Sequence, residues 1–389
     1  MEVYLVGGAV RDELLGIPVN ERDWVVIGAN PEAMQSKGYK AVGKDFPVFL
    51  HPESKEEYAL ARTERKKGRG YHGFEVHASP DITLEEDLLR RDLTINAIAK
   101  SESGEIIDPY GGQEDLNNKV LRHVSAAFGE DPLRVLRVAR FAAKFHHLGF
   151  SIAEETKQLM RHIVTTREIL ELSPERIWQE TQKALAMPSP EQYFLVLHKA
   201  NALSQTHASI NDEFSNPNTQ PHGLASLHKL AEHETDACMR LAALLGGLYF
   251  HETEAGQQDI QAFCEKLIVP RTCKELLLLT VSTQQQCHQV FELNEVELLV
   301  LLRSLDAKRK PERFAKLLQV CSAVYQSINN SKGYPQADFL QQAAAEIEKF
   351  DVAPWIEAKI NHQELADNIQ STQQDLLKIL IQKRDQQKI

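Results

Sequence analysis

Val3-Tyr4-Leu5-Val6-Gly7-Gly8-Ala9-Val10-Arg11-Asp12, followed by Glu21-Arg22-Asp23-Trp24-Val25-Val26-Ile27-Gly28, decides how this chain is read. Val3 to Val6 is a short apolar run rich in strand formers, and it stops at two glycines. Helical character follows over 10–15, with Asp12 and Glu13 read as first-turn acids that the helix dipole favours. Strand, glycine turn and helix start together form an anion seat, because glycine lets backbone N–H groups come close to a phosphate. The second stretch reads as another strand, over 23–28. Glu21 and Asp23 stand two apart in extended chain, so both carboxylates face one side and can hold Mg²⁺. Alone, a glycine pair marks a tight turn and an acid-x-acid marks a solvated strand end. Together they describe a site that binds a nucleoside triphosphate and transfers part of it.

Outward from these stretches, β-rich runs alternate with turns over 40–43, 47–50, 57–62, 73–77 and 92–98, and helical pieces fall at 31–37 and 83–90. This is an α+β pattern around a single small mixed sheet. Beyond residue 125 the pattern changes to helical spacing, as in Leu133, Leu136, Val138, Phe141, Ala142 and Phe145. Ser173-Pro174-Glu175 and Ser189-Pro190-Glu191 each put Ser at a helix cap and Pro at the first helical position, and Pro311 opens a further helix. Loops are expected at 211–221 and 329–335, and Leu376, Leu377, Ile379 and Leu380 mark a terminal amphipathic helix. The expected division is a catalytic head over 1–125, a helical neck over 126–210 and a helical body and tail over 211–389.

At 389 residues the chain is too long for one core, and its composition is that of an ordinary globular protein. No apolar run approaches the ~20 residues that span a bilayer, and no signal peptide is evident; the expected location is cytoplasmic. The five cysteines all lie in the C-terminal half without a C-x-x-C pair, which reads as reduced structural thiols. The net charge is −11, with 20 basic against 24 acidic residues over 1–150, so the chain is no bulk polycation. If the partner is RNA, local patches must bind it. The densest is Arg62-Thr63-Glu64-Arg65-Lys66-Lys67-Gly68-Arg69-Gly70, read as a loop whose glycines suggest mobility.

Three more constellations carry chemistry. In Arg90-Arg91-Asp92-Leu93-Thr94-Ile95-Asn96-Ala97 the paired arginines can oppose triphosphate charge bidentately, and Asp92 and Asn96 suit ribose hydroxyls. Asp108-Pro109-Tyr110-Gly111-Gly112 is a turn at the end of the β-rich part, suited to a hinge. In Glu130-Asp131-Pro132-Leu133-Arg134-Val135-Leu136-Arg137-Val138-Ala139-Arg140 the arginines stand three apart on one helix, forming a basic ridge with Asp131 at its start.

In this order the motifs resemble the class II tRNA nucleotidyltransferases, the bacterial CCA-adding enzymes, over residues 1 to about 145. The related poly(A) polymerases and the A-adding tRNA nucleotidyltransferases are the nearest alternatives. The resemblance implies Mg²⁺-dependent, template-independent addition of CCA to the tRNA 3′ end from CTP and ATP, with release of pyrophosphate. It implies that Glu21 and Asp23 hold two Mg²⁺ ions, and that Gly8, Arg11 and Arg91 bind the triphosphate. Asp92, with Asn96, would read the ribose. Asp131 and Arg134 would act as a protein template: a carboxylate accepts the exocyclic amine of cytosine or adenine, and a guanidinium donates to the neighbouring ring nitrogen. Arg137 and Arg140 would contact the nucleotide further along the ridge. The basic segment over 62–70 matches the family's flexible loop. The helical half would bind the acceptor and TΨC arms of tRNA, as a monomer or homodimer.

Two departures stand out. The family usually has Asp where this chain has Glu21, a hard oxygen ligand one methylene longer. Some relatives carry a metal phosphohydrolase domain marked by an adjacent His-Asp pair, and none of the 15 histidines here precedes Asp. A degenerate domain is expected, with Gly246 and Gly247 where ligands would stand, and with His222, His228 and His233 as surface or packing residues.

Overall fold

The computed structural model describes residues 1–42, 48–66, 74–251, 253–350, 353, 355 and 361–386. Two compact units result, Met1–Thr206 and His207–Ile389.

The first unit begins with β1 (Glu2–Val6), α1 (Gly8–Leu14), β2 (Asp23–Ile27), α2 (Pro31–Ser36), β3 (Lys40–Ala41), β4 (Val48–Leu50) and β5 (Glu57–Leu60). The hairpin β6 (Arg62–Lys66) and β7 (Phe74–Ala78), then α3 (Leu84–Leu89), β8 (Ala99–Ser101) and β9 (Ile106–Ile107) follow. The main sheet has the order β3-β4-β5-β2-β1-β8-β9. Its β2–β5 pair is parallel and its other pairs are antiparallel. Val6, Val25, Ala97 and Ala99 pack one buried cluster with Leu84 and Leu88 of α3; Val26, Phe49, Tyr58 and Leu60 build another with Met34 of α2. This burial anchors the middle of β2, Val25 and Val26, with Asp23 at its exposed end.

The sheet departs from expectation in three places. β6 and β7 pair only with each other among the described residues, so the basic stretch starts as a strand outside the main sheet; 67–73 lie outside the described residues. Residues 92–98 do not form a strand. Thr94–Asn96 is a 3₁₀ turn, because the Asp92 carboxylate accepts from both Leu93 N–H and Asn96 Nδ2 at 2.9 Å and draws the chain into a local loop. α1 starts at Gly8, two residues early, so Asp12 and Glu13 fall past its first turn.

The helical part of this unit opens with α4 (Gly112–Asn117), whose start is bound by Asp108: its carboxylate accepts from Gly112 N–H at 2.7 Å and Gln113 N–H at 2.8 Å. Next come α5 (Leu133–Phe145), α6 (Glu154–Thr165), α7 (Pro174–Leu185) and α8 (Glu191–Lys199). Ser173 caps α7 as expected, accepting from Arg176 N–H. Ser189 does not cap α8; its backbone N–H is drawn to Ala143 O at 3.0 Å, and Pro190 takes the cap position. A short parallel pair, Val120–Leu121 with Ser151–Ile152, adds strand where only helix was expected.

The second unit is helical. The loop expected at 211–221 is largely helix: Ala208–Ser215 forms because Ile210 and Phe214 bury on one face. Gln220–Ala231 then accepts Pro221 in its first turn, where a missing N–H costs nothing. The turn at 329–335 and the terminal helix, His362–Gln386, are present. Gly246 and Gly247 serve close helix packing: a Cβ on Gly247 would lie 2.5 Å from His222 O, and one on Gly246 2.9 Å from Gln284 Oε1. Cys238 and Cys273 form a disulfide, which corrects the all-thiol reading; helix packing brings residues 35 apart in sequence to a Cα separation of 5.2 Å. Cys264, Cys287 and Cys321 are free and buried.

Candidate active site

A cleft of about 800 Å³ opens in the first unit between the sheet and α5 and α7. Gly8, Arg11, Glu21, Asp23, Arg91, Asp92, Asp131, Arg134, Arg137 and Arg140 all line it, with Asn96. Among the described residues, nine arginines and lysines face six carboxylates there, a local positive excess in a chain of net charge −11. Such a cleft concentrates polyanions.

The glycine turn forms one end. Gly7, rather than Gly8, carries the demand for glycine: its φ of 69° with ψ of −126° is closed to other residues. A Cβ there would also fall 2.8 Å from Nη1 of Arg91. Arg11 is buried behind this turn, stacked on Phe145 at 5.0 Å and Phe141 at 5.5 Å. Burial lowers its pKa, and the charge of Asp12 opposes that. Lys144 of α5 holds Asp12 from the other side at 2.9 Å.

The strand wall carries the acids. Glu21 precedes β2, Asp23 begins it, and Glu57 lies beside Asp23 in the parallel register of β5. None of the three carboxylates has a hydrogen bond or ion pair among the described residues, although Asp23 feels the charge of Arg91. The walls crowding Asp23 raise its carboxyl above the usual range; Glu21 adds to this and Arg91 opposes it. Hard, unpaired oxygens beside one another suit a divalent cation. Among the described residues no group of three metal-ligating side chains gathers, so any ion held here would take Glu21 and Asp23 alone from the protein. That fits Mg²⁺, which keeps waters and phosphate oxygens and takes one or two carboxylates.

The helix wall carries paired charges. Asp92 is buried, with Arg137 Nε at 2.7 Å and Nη2 at 2.6 Å on one oxygen and Asn96 Nδ2 at 2.9 Å on the other. Burial alone would raise its pKa, but Arg137 and Asn96 hold it well below the usual carboxylate range. Asn96 Oδ1 accepts from Arg11 Nη1 at 2.5 Å. Asp92 and Asn96 therefore form a chain from Arg11 to Arg137, and their oxygens face protein partners. Arg140 pairs with buried Glu180 at 2.6 Å, and Arg140 Cζ sits 4.5 Å from the Phe141 ring centre. The ridge is thus not a solvated face.

Asp131 accepts from Leu133 N–H at 3.0 Å through one oxygen and from Arg176 Nη2 at 3.0 Å through the other. Each oxygen keeps a second lone pair. Arg134 is buried and donates to Ala127 O at 2.8 Å and Arg90 O at 2.5 Å. The sequence reading named the glycine turn but put the weight on Gly8 instead of Gly7, and it missed Glu57, Phe141, Arg176 and Glu180 as site residues. Arg176 and Glu180 were legible only as one face of α7, four residues apart; Glu57 needed the β2–β5 register.

A glycine turn, two unpaired carboxylates and an arginine-lined cleft on this mixed sheet define a nucleotidyltransferase head. Residues 3–122 match the family of the poly(A) polymerase head domain, and residues 149–211 match the probable RNA- and SrmB-binding site of polymerase A. A CCA-adding enzyme of Pseudomonas putida is 49% identical, covering 94% of this chain and 96% of that one. A multifunctional CCA protein of Tolumonas auensis is 45% identical, covering 92% and 93%. Among solved structures, the Bacillus stearothermophilus CCA-adding enzyme in complex with CTP superposes with a TM-score of 0.65 at 22% identity, covering 99% of this chain and 94% of that one. The Thermotoga maritima CCA-adding enzyme complexed with tRNA gives 0.66 at 21%, covering 96% and 86%. The chain belongs to the CCA-adding enzyme family of nucleotidyltransferases. No helix among the described residues is long and apolar enough to cross a membrane.

Proposed function

We propose that this enzyme adds C, C and A to the 3′ end of immature or damaged tRNA in the cytoplasm, using CTP and ATP and releasing pyrophosphate. The observation that carries the proposal is the single cleft shared by Glu21, Asp23, Asp131 and Arg134. Transfer chemistry and base selection need to act on one nucleotide, and one cleft lets them. The relatives' names support this substrate class.

The terminal RNA hydroxyl attacks the α-phosphorus and pyrophosphate leaves. Glu21 and Asp23 would hold Mg²⁺, which when bound polarises the attacking hydroxyl and neutralises the leaving phosphates. Gly8 and its neighbours present backbone N–H groups to the triphosphate, and Arg91 opposes its charge. Arg11, braced by Asp12, Asn96 and two phenylalanines, sets the depth of that seat. Asp131, held in place by Arg176, offers carboxylate oxygens as acceptors, so it receives an exocyclic amine and repels the carbonyl edge of uracil or guanine. Arg134 supplies the complementary donor. Arg137 and Arg140, fixed by Asp92 and Glu180, continue the nucleotide surface. We assign 1–125 to catalysis, 126–210 to nucleotide selection and 211–389 to the acceptor and TΨC arms.

The test is incubation with tRNA ending before the triplet, with CTP and ATP singly and together. Two C additions from CTP alone and a complete triplet from both are expected. Long A tails without use of CTP would instead show a poly(A) polymerase, and single A addition only to tRNA already ending in CC would show an A-adding enzyme.

A further inference from the structure

Asp87 of α3 is fully buried and takes no part in the chemistry above. A buried carboxylate is costly unless its oxygens are paired, so what pairs it is informative. One oxygen accepts from Arg90 Nη2 at 2.9 Å and Nε at 3.2 Å, and from the backbone N–H of Arg62 at 3.4 Å. The other accepts from Arg91 Nη2 at 3.3 Å. The end of α3, the paired arginines and the first residue of β6 therefore meet on one carboxylate.

Arg91 has little else to hold it. Among the described residues its other hydrogen bond is a long one, 3.4 Å to Asn96 O, and its buried Nε has no partner. Yet its Nη1 stands over Gly7, and its charge reaches Asp23. The guanidinium that bridges the glycine turn and the catalytic acids is thus aimed largely from behind.

We infer that Asp87 is a positioning residue for the triphosphate: it fixes Arg91 over the glycine turn and ties that arginine to the base of the β6–β7 hairpin. This rests on Arg91 being a triphosphate ligand. Asp87 itself touches no substrate; it acts through Arg91, so its effect belongs to the phosphates and not to the base.

The experiment compares Asp87→Asn, Arg91→Lys and the double variant for binding of CTP and of CMP, which lacks the β- and γ-phosphates. Loss of a charge-assisted contact corresponds to about tenfold weaker CTP binding, and CMP binding is expected to change less than about twofold. The double variant is expected to bind CTP no more weakly than Arg91→Lys, because both substitutions break one interaction. Where Asp87→Asn does not fold, Asp87→Glu, which keeps the charge but displaces it, is expected to show the same split between CTP and CMP. Equal weakening of CTP and CMP, unchanged CTP binding, or additive losses in the double variant would overturn the inference. Wild-type protein that binds no CTP would overturn the reading of the cleft itself, an outcome separate from any of these.

Discussion

The two walls of the cleft handle charge in opposite ways. On the strand wall, the carboxylates of Glu21, Asp23 and Glu57 have no ion pair or hydrogen bond among the described residues. On the helix wall, Asp92 and Asp131 each hold an arginine, and Arg140 holds Glu180. Unpaired carboxylates side by side repel and await a cation; paired ones are already neutralised and rigid. On the proposed function, the strand wall would receive the cation and the helix wall would keep one shape while nucleotides pass. Substitutions should therefore cost rate on the first and order or selectivity on the second.

The largest effect is expected from Asp23→Ala. Transfer of both C and A should fall by roughly 10²–10³-fold or more, the scale lost with one group that stabilises a transition state. The melting temperature should change little, since this side chain has no hydrogen bond or ion pair to lose among the described residues; primer extension and calorimetry check both. Arg137→Ala inverts that pattern. It strands the buried Asp92 carboxylate, and removing one partner of such a pair costs about 3–5 kcal/mol, measurable by denaturant unfolding. Arg137→Lys should recover part of it.

A smaller effect sharpens the contrast through pH. Asp23 has a raised carboxyl pKa, so the folded state holds its proton to higher pH than the unfolded chain does. Its contribution to stability is therefore lost as pH rises from the ordinary carboxylate value through the raised one. An NMR titration of the Mg²⁺-free protein should show the raised value, lower in Glu21→Gln, which removes a like charge, and higher in Arg91→Met, which removes an opposite one. Asp92 should titrate on the other side of the usual range.

The smallest effect concerns the second unit. Cys238→Ser should lower stability by about 2–4 kcal/mol in non-reducing buffer and leave it unchanged in reducing buffer, with nucleotide addition unaffected at temperatures where both forms are folded.

What the sequence made legible follows the same division. The strand wall was readable because its signals are local: a glycine turn after an apolar run, and two acids two apart in extended chain. The arginine ridge was readable as a helix face but not as an ion-paired one, because the groups that pair with it, Glu180 and Asp92, lie 40 residues after Arg140 and 45 before Arg137. Residues 92–98 were misread as a strand because their apolar residues mimic one, while the side chains of Asp92 and Asn96 close a local loop. The 211–221 region was misread because its Asn and Pro content outweighed Ile210 and Phe214, whose burial decides the helix. The Cys238–Cys273 bond had no sequence signal at all, since only tertiary packing brings the two together.

The proposed function puts base selection on one wall and transfer on the other. The most direct measurement is the ratio of CTP to UTP incorporation onto tRNA lacking its terminal triplet, for wild type and Asp131→Ala. The wild type is expected to strongly prefer CTP, and Asp131→Ala to retain measurable transfer while that preference collapses. A variant that keeps the wild-type ratio would contradict the assignment of selection to the helix wall.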